Sequence, residues 1–554
     1  MSAEPVPGAG AVPAASAPHG WVAAARFLAR FEAPAWRRAL AVLLVVATSF
    51  LFITQEDRVR VGFDNHAGIL PVVRRILDPG HLPGDFGIRL REFHHRPFAH
   101  VIACLSKWLG EKDGLWVLHM AGMTAVAAGA LALWRSLGLP FALFPVLVAL
   151  LIGKPLWIGK GTEVNEFIEF NLSMMPPVFA HGLILALLAA LIERRWRIAA
   201  LLTGIVFFFH VQIGIVVAIC TAPLYVEALK TRGWKELPIL AILSLVPALP
   251  SIVALVQMMA ALARHGYWDF NYLAFRQNHH FALRPDYVRW VAWHAGAIFL
   301  AWGVGRRFLV DSGHGLGVLA WVTLSVCLLT VFHYLDYEVL RNGAIAKFQF
   351  IRLTPLLTVL SVFSVFVIGR GIAVAWAARA GPMPLRVAGI ARALVVVGFV
   401  WVTFHRATHE SKKWGVKASW EGEKPWPTMC RWISGNTPAD ALFLTPPAQD
   451  GFSLMARRST IVDFKINPDG ALYLREWYER LQDVTGEPLF TARGRRRLSQ
   501  ESMDRAESSL PDAAVLGLQR KYGIRYAVFQ KPAAARFPVV HENGDFVLVR
   551  LPGP

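Results

Sequence analysis

The sequence predicts a mainly α, polytopic helical membrane protein that ends in a soluble α/β domain. Hydrophobic residues make up 55% of the 554-residue chain and charged residues 17%, a more apolar balance than soluble domains have. Apolar runs of about 17–25 residues, the length that crosses a bilayer as a helix, recur up to about residue 404 and then stop. The chain therefore divides into an N-terminal segment (1–36), a membrane domain (37–404) and a tail (405–554).

About eleven segments have the composition of membrane spans. They are 37–54, 114–134, 139–153, 176–192, 198–210, 212–229, 237–256, 288–304, 315–332, 353–370 and 388–404. The stretch 198–229 admits one long helix or two helices that meet near His210 and Gln212. Two helices make the loop charges agree with the positive-inside rule, because the loops rich in Lys and Arg then lie on the same side of the membrane as the N-terminus.

The charge pattern predicts the orientation. Basic loops mark the cytoplasmic side, so we expect the N-terminus inside and the tail outside a bacterial-type cytoplasmic (inner) membrane. This rule also accounts for the formal net charge of +19, and no nucleic-acid partner is predicted. The four cysteines are widely spaced and predict neither a disulfide framework nor a metal site.

The tail has the pattern of a small α/β domain. Strands are predicted at 441–444, 460–464 and 526–529, helices at 471–481 and 515–522, and a closing hairpin with its turn at 542–545. The turn contains Asn543-Gly544, a pair that favours positive φ angles.

The outer loop 55–113 carries an acid early, in Phe63-Asp64-Asn65-His66, and a basic cluster late, around His95-Arg96-Pro97. Loops of this length are functional or disordered, and the apolar stretches within it argue against disorder. A carboxylate at the membrane boundary can act as a general base, which makes Asp64 the candidate catalytic residue. The alternatives are an exposed loop acid or a helix cap.

Residues 95–110 resemble the end of the first outer loop in the GT-C glycosyltransferases, polytopic enzymes that use polyprenyl-phosphate-linked sugars. Protein O-mannosyltransferases and lipid A aminoarabinose transferases belong to them. Their acidic motif, Asp-Glu-x-His, is similar to residues 63–66, with Asn65 in place of the second acid and one proline where two are common. The resemblance implies that Asp64 is the base and that His66, His95 and Arg96 contact substrate. The missing acid argues against metal binding by two carboxylates.

A lipid-phosphate donor needs cations, and Arg is suited to phosphate oxygens. The outer segments supply two sets, Arg276 and His279 with Arg284, and Arg341, Lys347 and Arg352. Each set is predicted either to bind phosphate or to consist of basic residues that extend to the interface.

Each of the other notable polar groups admits a functional and a purely structural interpretation. Glu163, Glu166 and Glu169 are spaced to share a cation or a sugar on one helix face, or to face solvent. His210, between apolar runs, is either functional or paired across helices. The pairs His94-His95 and His279-His280 lack zinc-site spacing, so no metal ligand is predicted, although the sequence leaves a divalent metal open.

The function expected from these features is transfer of a sugar from a polyprenyl-phosphate-linked donor to a lipid, glycan or protein acceptor on the outer face. An O-antigen polymerase or ligase would carry its large loop late in the chain. A lipid-linked glycan transporter or flippase would show two matching halves. A non-catalytic envelope assembly protein is the remaining alternative.

Overall fold

The computed structural model describes residues 34–53, 59–62, 66–91, 95–153, 176–265, 275–276, 285–308, 313–343, 345–380, 394–395, 397–405, 408, 416–466, 473–489, 499–532 and 537–553. Up to residue 405 these residues are almost entirely helical. The elements are α1 (Pro34–Ile53), β1 (Val59–Val61), α2 (His66–Leu77), α3 (Phe86–Arg89), α4 (Arg96–Leu109), α5 (Glu111–Ser136), α6 (Phe144–Gly153), α7 (Pro176–Ile192), α8 (Trp196–Phe209), α9 (Val211–Thr221), α10 (Tyr225–Arg232), α11 (Glu236–His265), α12 (Pro285–Phe308), α13 (Gly313–Tyr334) and α14 (Pro355–Ala380).

The predicted fold class is confirmed. Helical structure occupies every predicted span from 37–54 to 353–370, and 388–404 lies only partly within the described residues. Helices long and apolar enough to cross a membrane span Glu111–Ser136, Val211–Arg232, Glu236–Ala260, Gly313–Leu340 and Phe350–Ala373. Shorter apolar helices span Arg38–Ile53, Phe141–Leu151, Pro176–Ile192 and Trp196–Phe209.

The stretch 198–229 is broken into two helices at His210, as the charge pattern predicted. His210 has extended backbone angles (φ −150°, ψ 101°) and its side chain caps the start of α9. A Cβ atom at Gly214 would lie 2.5 Å from the Cα of Phe207. Glycine therefore permits the close approach of α8 and α9 at this corner.

The helices α5 and α7 pack backbone to backbone through two glycines. A Cβ on Gly129 would lie 2.1 Å from the carbonyl oxygen of Gly182, and one on Gly182 would lie 2.6 Å from the carbonyl carbon of Ala125. Small residues allow such contact where helices meet in a membrane. No larger side chain fits at either position without moving a helix.

The tail forms a mixed five-stranded sheet between two helical layers. The elements of the tail are β2 (Val416–Ala418), α15 (Pro425–Asn436), β3 (Leu442–Leu444), α16 (Phe452–Met455), β4 (Ser459–Thr460), α17 (Leu474–Thr485), α18 (Gln500–Ser508), α19 (Asp512–Tyr522), β5 (Tyr526–Gln530), β6 (Val539–Glu542) and β7 (Phe546–Arg550). Strand β2 lies outside the five-stranded sheet. The strand order is β4-β3-β5-β7-β6, with β4, β3 and β5 parallel and β5, β7 and β6 antiparallel. Alternate strand residues face α15 on one side and α17 and α19 on the other.

Two local expectations for the tail need correction. The strand predicted at 460–464 ends at Thr460, because the Asp463 side chain accepts hydrogen bonds from the N–H groups of Lys465 and Ile466 and turns the chain. The closing hairpin is present, but Gly544 does not have a positive φ. The Asn543 side chain forms the turn instead, by accepting from Asp545 N and Phe546 N.

The tail is joined to two of the predicted outer loops. Strands β1 and β2 pair in parallel, which ties residues 59–61 to residues 416–418. Phe86 of the first outer loop and Phe275 of the loop 256–287 are both buried in the hydrophobic core of the tail. These contacts require both loops and the tail to lie on the same side of the helices.

Candidate functional site

Three predicted substrate-binding residues, each from a different outer segment, meet at one point. The ring centroids of His95 and His210 are 5.0 Å apart. The Nη1 atom of Arg352 lies 3.2 Å from the Nε2 atom of His210. We call His95, His210 and Arg352 the basic cluster.

Each member of the basic cluster occupies an irregular piece of backbone. His95 is in the left-handed region (φ 49°) immediately before α4, a conformation that is uncommon for residues other than glycine. His210 is at the corner between α8 and α9. Arg352 lies in a 3₁₀ helix, Phe350–Leu353, that leads into α14. Left-handed residues of this kind gather at functional sites, where surrounding contacts hold them.

The tautomer of His210 decides whether its Nε2 atom donates or accepts a hydrogen bond at the contact with Arg352. Its Nδ1 atom accepts a hydrogen bond from the backbone N–H of Ile213 (3.3 Å). A neutral imidazole has one N–H group and one acceptor nitrogen, so Nε2 carries the proton while this cap holds. The Nε2–H of His210 and the Nη1–H of Arg352 are then two donors that converge. An acceptor oxygen beside the pair, within hydrogen-bond distance of both nitrogens, can accept from both.

A second arginine, Arg91, belongs to this region, although it was not among the predicted site residues. It is only 5% exposed, and a Cβ at Gly68 would lie 3.0 Å from its Cζ atom, so the guanidinium lies against the start of α2. Burial lowers the pKa of His95 to about 3, and the positive charges of Arg352 and Arg91 act in the same direction. His95 is therefore neutral at physiological pH, and the charges of both guanidinium groups act on it.

Arg91 could have been found from the sequence. It lies four residues before His95 in Arg91-Glu92-Phe93-His94-His95, just before the basic part of the loop around His95-Arg96-Pro97. Burial, which distinguishes it from Arg74, Arg75, Arg89 and Arg96 of the same loop, is a property of the folded chain.

His66, at the end of the acidic motif, is hydrogen-bonded to the residue that precedes the motif. It is fully buried, and its Nδ1 atom accepts from the backbone N–H of Gly62 (3.2 Å). Gly62 has a φ of +80°, and a Cβ there would lie 2.4 Å from Ser419 Oγ of the tail. The two residues that flank 63–65 are thus joined to each other, and Gly62 is packed against the tail. Asp64 itself lies outside the described residues.

The other predicted contacts are distributed away from the basic cluster or lie outside the described residues. Arg96 donates from Nη1 to the side chain of Gln257 on α11 (3.0 Å). Arg276 donates to the carbonyl of Lys465 in the tail (2.8 Å), with its guanidinium over the Phe464 ring. Arg341 is exposed. Glu166, His279 and the side chain of Lys347 are among the residues not described, as are Glu163, Glu169 and Arg284.

Among the described residues, no group of three or more His, Cys, Asp or Glu side chains is arranged to hold a metal ion. Each of the four cysteines is a free thiol.

Comparisons with known proteins give one family match and a set of similar structures. A family model described as "Domain of unknown function (DUF6798)" matches residues 424–484, from the start of α15 to the end of α17. No curated protein matches the chain. Among solved structures, two of ArnT are similar to this chain. The crystal structure of ArnT from Cupriavidus metallidurans in the apo state has 14% sequence identity and a TM-score of 0.40, over 94% of this chain and 98% of that chain. The structure of the same ArnT bound to undecaprenyl phosphate has 16% identity and a TM-score of 0.36, over 96% and 98%.

Proposed function

We propose that this chain is a GT-C-type membrane glycosyltransferase. It transfers a sugar from a polyprenyl-phosphate-linked donor to a lipid, glycan or protein acceptor on the outer face of the cytoplasmic membrane. The donor phosphate binds at the basic cluster, and Asp64 acts as the general base.

The observation that carries the proposal is the convergence of two N–H donors, from His210 and Arg352, next to neutral His95. A phosphate oxygen can accept from both donors at once. Arg forms strong, charge-assisted hydrogen bonds with phosphate. His210 and Arg352 lie at the ends of membrane helices, at the α8–α9 corner and just before α14, and His95 lies at the start of α4 in the first outer loop. This position at the membrane boundary suits a lipid-linked phosphate.

The chemistry needs this positive charge most when the leaving group departs. Asp64 accepts the proton of the acceptor hydroxyl, whose oxygen attacks the anomeric carbon. The bond from that carbon to the phosphate oxygen breaks, and its electron pair stays on the phosphate. The phosphodiester carries one negative charge and the released phosphate monoester approaches two.

Fixed cations therefore bind the transition state more strongly than the donor, which is the condition for catalysis. The guanidinium of Arg352, with that of Arg91, whose charge also acts on His95, supplies this charge. Neutral His95 adds no third positive charge that the site would have to hold when empty of substrate.

The proposal is tested by sugar transfer from a panel of radiolabelled polyprenyl-phosphate sugars to membrane acceptors. Wild type is compared with Asp64→Asn and Arg352→Gln at matched expression. Arg505→Gln is the matched control for Arg352, because Arg505 is exposed on the tail. We expect transfer by wild type and Arg505→Gln, its loss in Asp64→Asn, and a reduction of about tenfold or more in Arg352→Gln.

The outcomes separate the alternatives. Robust transfer in Asp64→Asn would contradict its role and redirect the search to other acids of the outer segments, such as Glu163, Glu166 and Glu169. Transfer unaffected by Arg352→Gln would contradict the proposal that the donor phosphate binds at the basic cluster. If folded wild-type protein transfers no sugar from any donor, the proposed glycosyltransferase activity is contradicted. A flippase or an assembly protein would then be favoured.

A further inference from the structure

The segment that connects α13 to Arg352 is organised around one buried carboxylate. Asp336 is 1% exposed and lies in a π-helical turn, Leu335–Leu340, that follows α13. Its Oδ2 atom accepts hydrogen bonds from the backbone N–H groups of Ile345 (2.8 Å) and Ala346 (2.7 Å). Its own carbonyl oxygen accepts from the N–H of Asn342 (3.1 Å). One residue thus closes both ends of the turn between 336 and 346.

A continuous series of hydrogen bonds leads from this closure to Arg352. Gln349 N donates to the carbonyl of Ala346 (2.8 Å), and Arg352 N donates to the carbonyl of Gln349 (3.0 Å). The position of Arg352 therefore depends on that of Ala346, which the Asp336 carboxylate holds. From the other side, the Tyr287 hydroxyl donates to the carbonyl of Ile351 (3.2 Å).

The backbone of this segment needs such a constraint. Arg341 and Gln349 both have left-handed φ angles, 56° and 53°, which are unfavourable for residues with a side chain. Gly343 adds a third positive φ, 70°. A strained conformation of this kind persists only when surrounding contacts impose it. The two hydrogen bonds to Asp336 Oδ2 are such contacts.

We propose that Asp336 is a positioning residue that holds Arg352 against His210 and so forms the phosphate-binding geometry. The inference rests on the proposed function in assigning a phosphate to Arg352. Asp336 does not touch substrate itself. Its carboxylate acts by accepting two backbone hydrogen bonds, and any side chain that accepts both can replace it.

The experiment measures binding of a polyprenyl monophosphate to purified protein in nanodiscs. Asp336→Asn keeps one oxygen that can accept both N–H groups, whereas Asp336→Ala keeps none. We expect Asp336→Asn to bind within about threefold of wild type and Asp336→Ala to bind about tenfold or more weakly, as does Arg352→Gln. Because Asp336 acts through Arg352, the double variant Asp336→Ala/Arg352→Gln should bind no more weakly than Arg352→Gln alone.

A matched control separates positioning from general loss of structure. Asp504 is also buried (3% exposed) and accepts from two N–H groups, those of Ala448 and the Gln449 side chain, in the tail. Asp504→Ala should lower thermal stability without changing phosphate affinity. Additive losses in the double variant, or an equal loss of affinity in Asp504→Ala, would overturn the role of Asp336.

Amide hydrogen exchange tests the same constraint without a ligand. Exchange in residues 345–353 should be faster in Asp336→Ala than in wild type and close to wild type in Asp336→Asn. If wild type binds no polyprenyl monophosphate, the proposed function fails, and the exchange measurement still decides whether Asp336 holds this segment. Unchanged exchange in Asp336→Ala contradicts the inference regardless of binding.

Discussion

Asp85 of the first outer loop accepts a hydrogen bond from the backbone N–H of Thr460 in the tail, at 3.2 Å and 375 positions away in sequence. The same carboxylate accepts from the Ser453 hydroxyl of the tail and caps the short helix α3 through Ile88 N (2.9 Å). Burial raises the pKa of Asp85, against the effect of these hydrogen bonds. One buried side chain therefore links the loop that carries the acidic motif to the C-terminal sheet.

We expect Asp85→Ala to destabilise the contact between the loop and the tail. The substitution leaves buried donors of Ser453, Thr460 and Ile88 unpaired, at a total cost of about 3 kcal/mol or more. Asp85→Asn retains one acceptor oxygen and should cost less. Thermal unfolding in detergent measures both, with exposed Glu501→Gln on α18 as control. Equal midpoints for Asp85→Ala and the control would contradict this account of the junction.

Asp463 predicts a pH dependence of stability. Burial, followed by the nearby Asp450 carboxylate, raises its pKa from 3.8 to about 7, and its Oδ2 atom has no hydrogen-bond partner among the described residues. Between pH 4 and 7 the folded state binds the proton more tightly than the unfolded state, so this group's contribution to stability falls as the pH rises through that window.

Asp463→Asn removes the titration and keeps an oxygen for Lys465 N and Ile466 N. We expect it to stabilise the protein above pH 7, by on the order of 2–4 kcal/mol, and to have little effect near pH 4. Thermal midpoints of wild type and variant across this range make the comparison. A difference that does not change with pH would refute the assignment.

His210 has two roles that one substitution can separate. Asn is a good helix N-cap, so His210→Asn preserves the cap on Ile213 but removes the Nε2–H group. We expect near-wild-type thermal stability and polyprenyl-phosphate binding that is weaker by about fivefold or more. His210→Ala loses both roles, with a further loss of about 1 kcal/mol of stability. Unchanged phosphate binding in His210→Asn would show that the imidazole is only a cap.

The contact between the first outer loop and the tail can be trapped directly. Lys112 Nζ lies 2.6 Å from Glu421 Oε1, and both side chains are exposed. In a background without the four native cysteines, Lys112→Cys and Glu421→Cys should be joined by a short bifunctional thiol reagent, and neither single variant should be.

An impermeant maleimide tests the predicted orientation with the same residues. In intact spheroplasts it should label Glu421→Cys, because the tail is predicted to lie outside. Labelling only after lysis would place the tail in the cytoplasm and reverse the orientation that the basic loops predict.

Much of the basic cluster could be identified from sequence, but its assembly could not. His95, His210 and Arg352 each stood out locally, as a basic residue in a loop motif, a polar residue between apolar runs and an arginine just before a span. Nothing in the sequence pairs them, since residues 95, 210 and 352 meet only when α4, the α8–α9 corner and α14 pack together. The sequence does not identify Arg91 as a site residue, because its burial depends on the same packing.

The sequence by itself determined what hydrophobicity and charge encode locally, namely the helical spans, the break at His210 and the α/β character of the tail. These follow from periodicity and composition within short windows. Only the tertiary structure decided that the tail incorporates Phe86 and Phe275 into its core, that Arg276 binds the tail, and that Asp336 holds the segment leading to Arg352. Those contacts join residues distant in sequence or depend on buried hydrogen bonds, whose partners are selected by the packing of the whole chain.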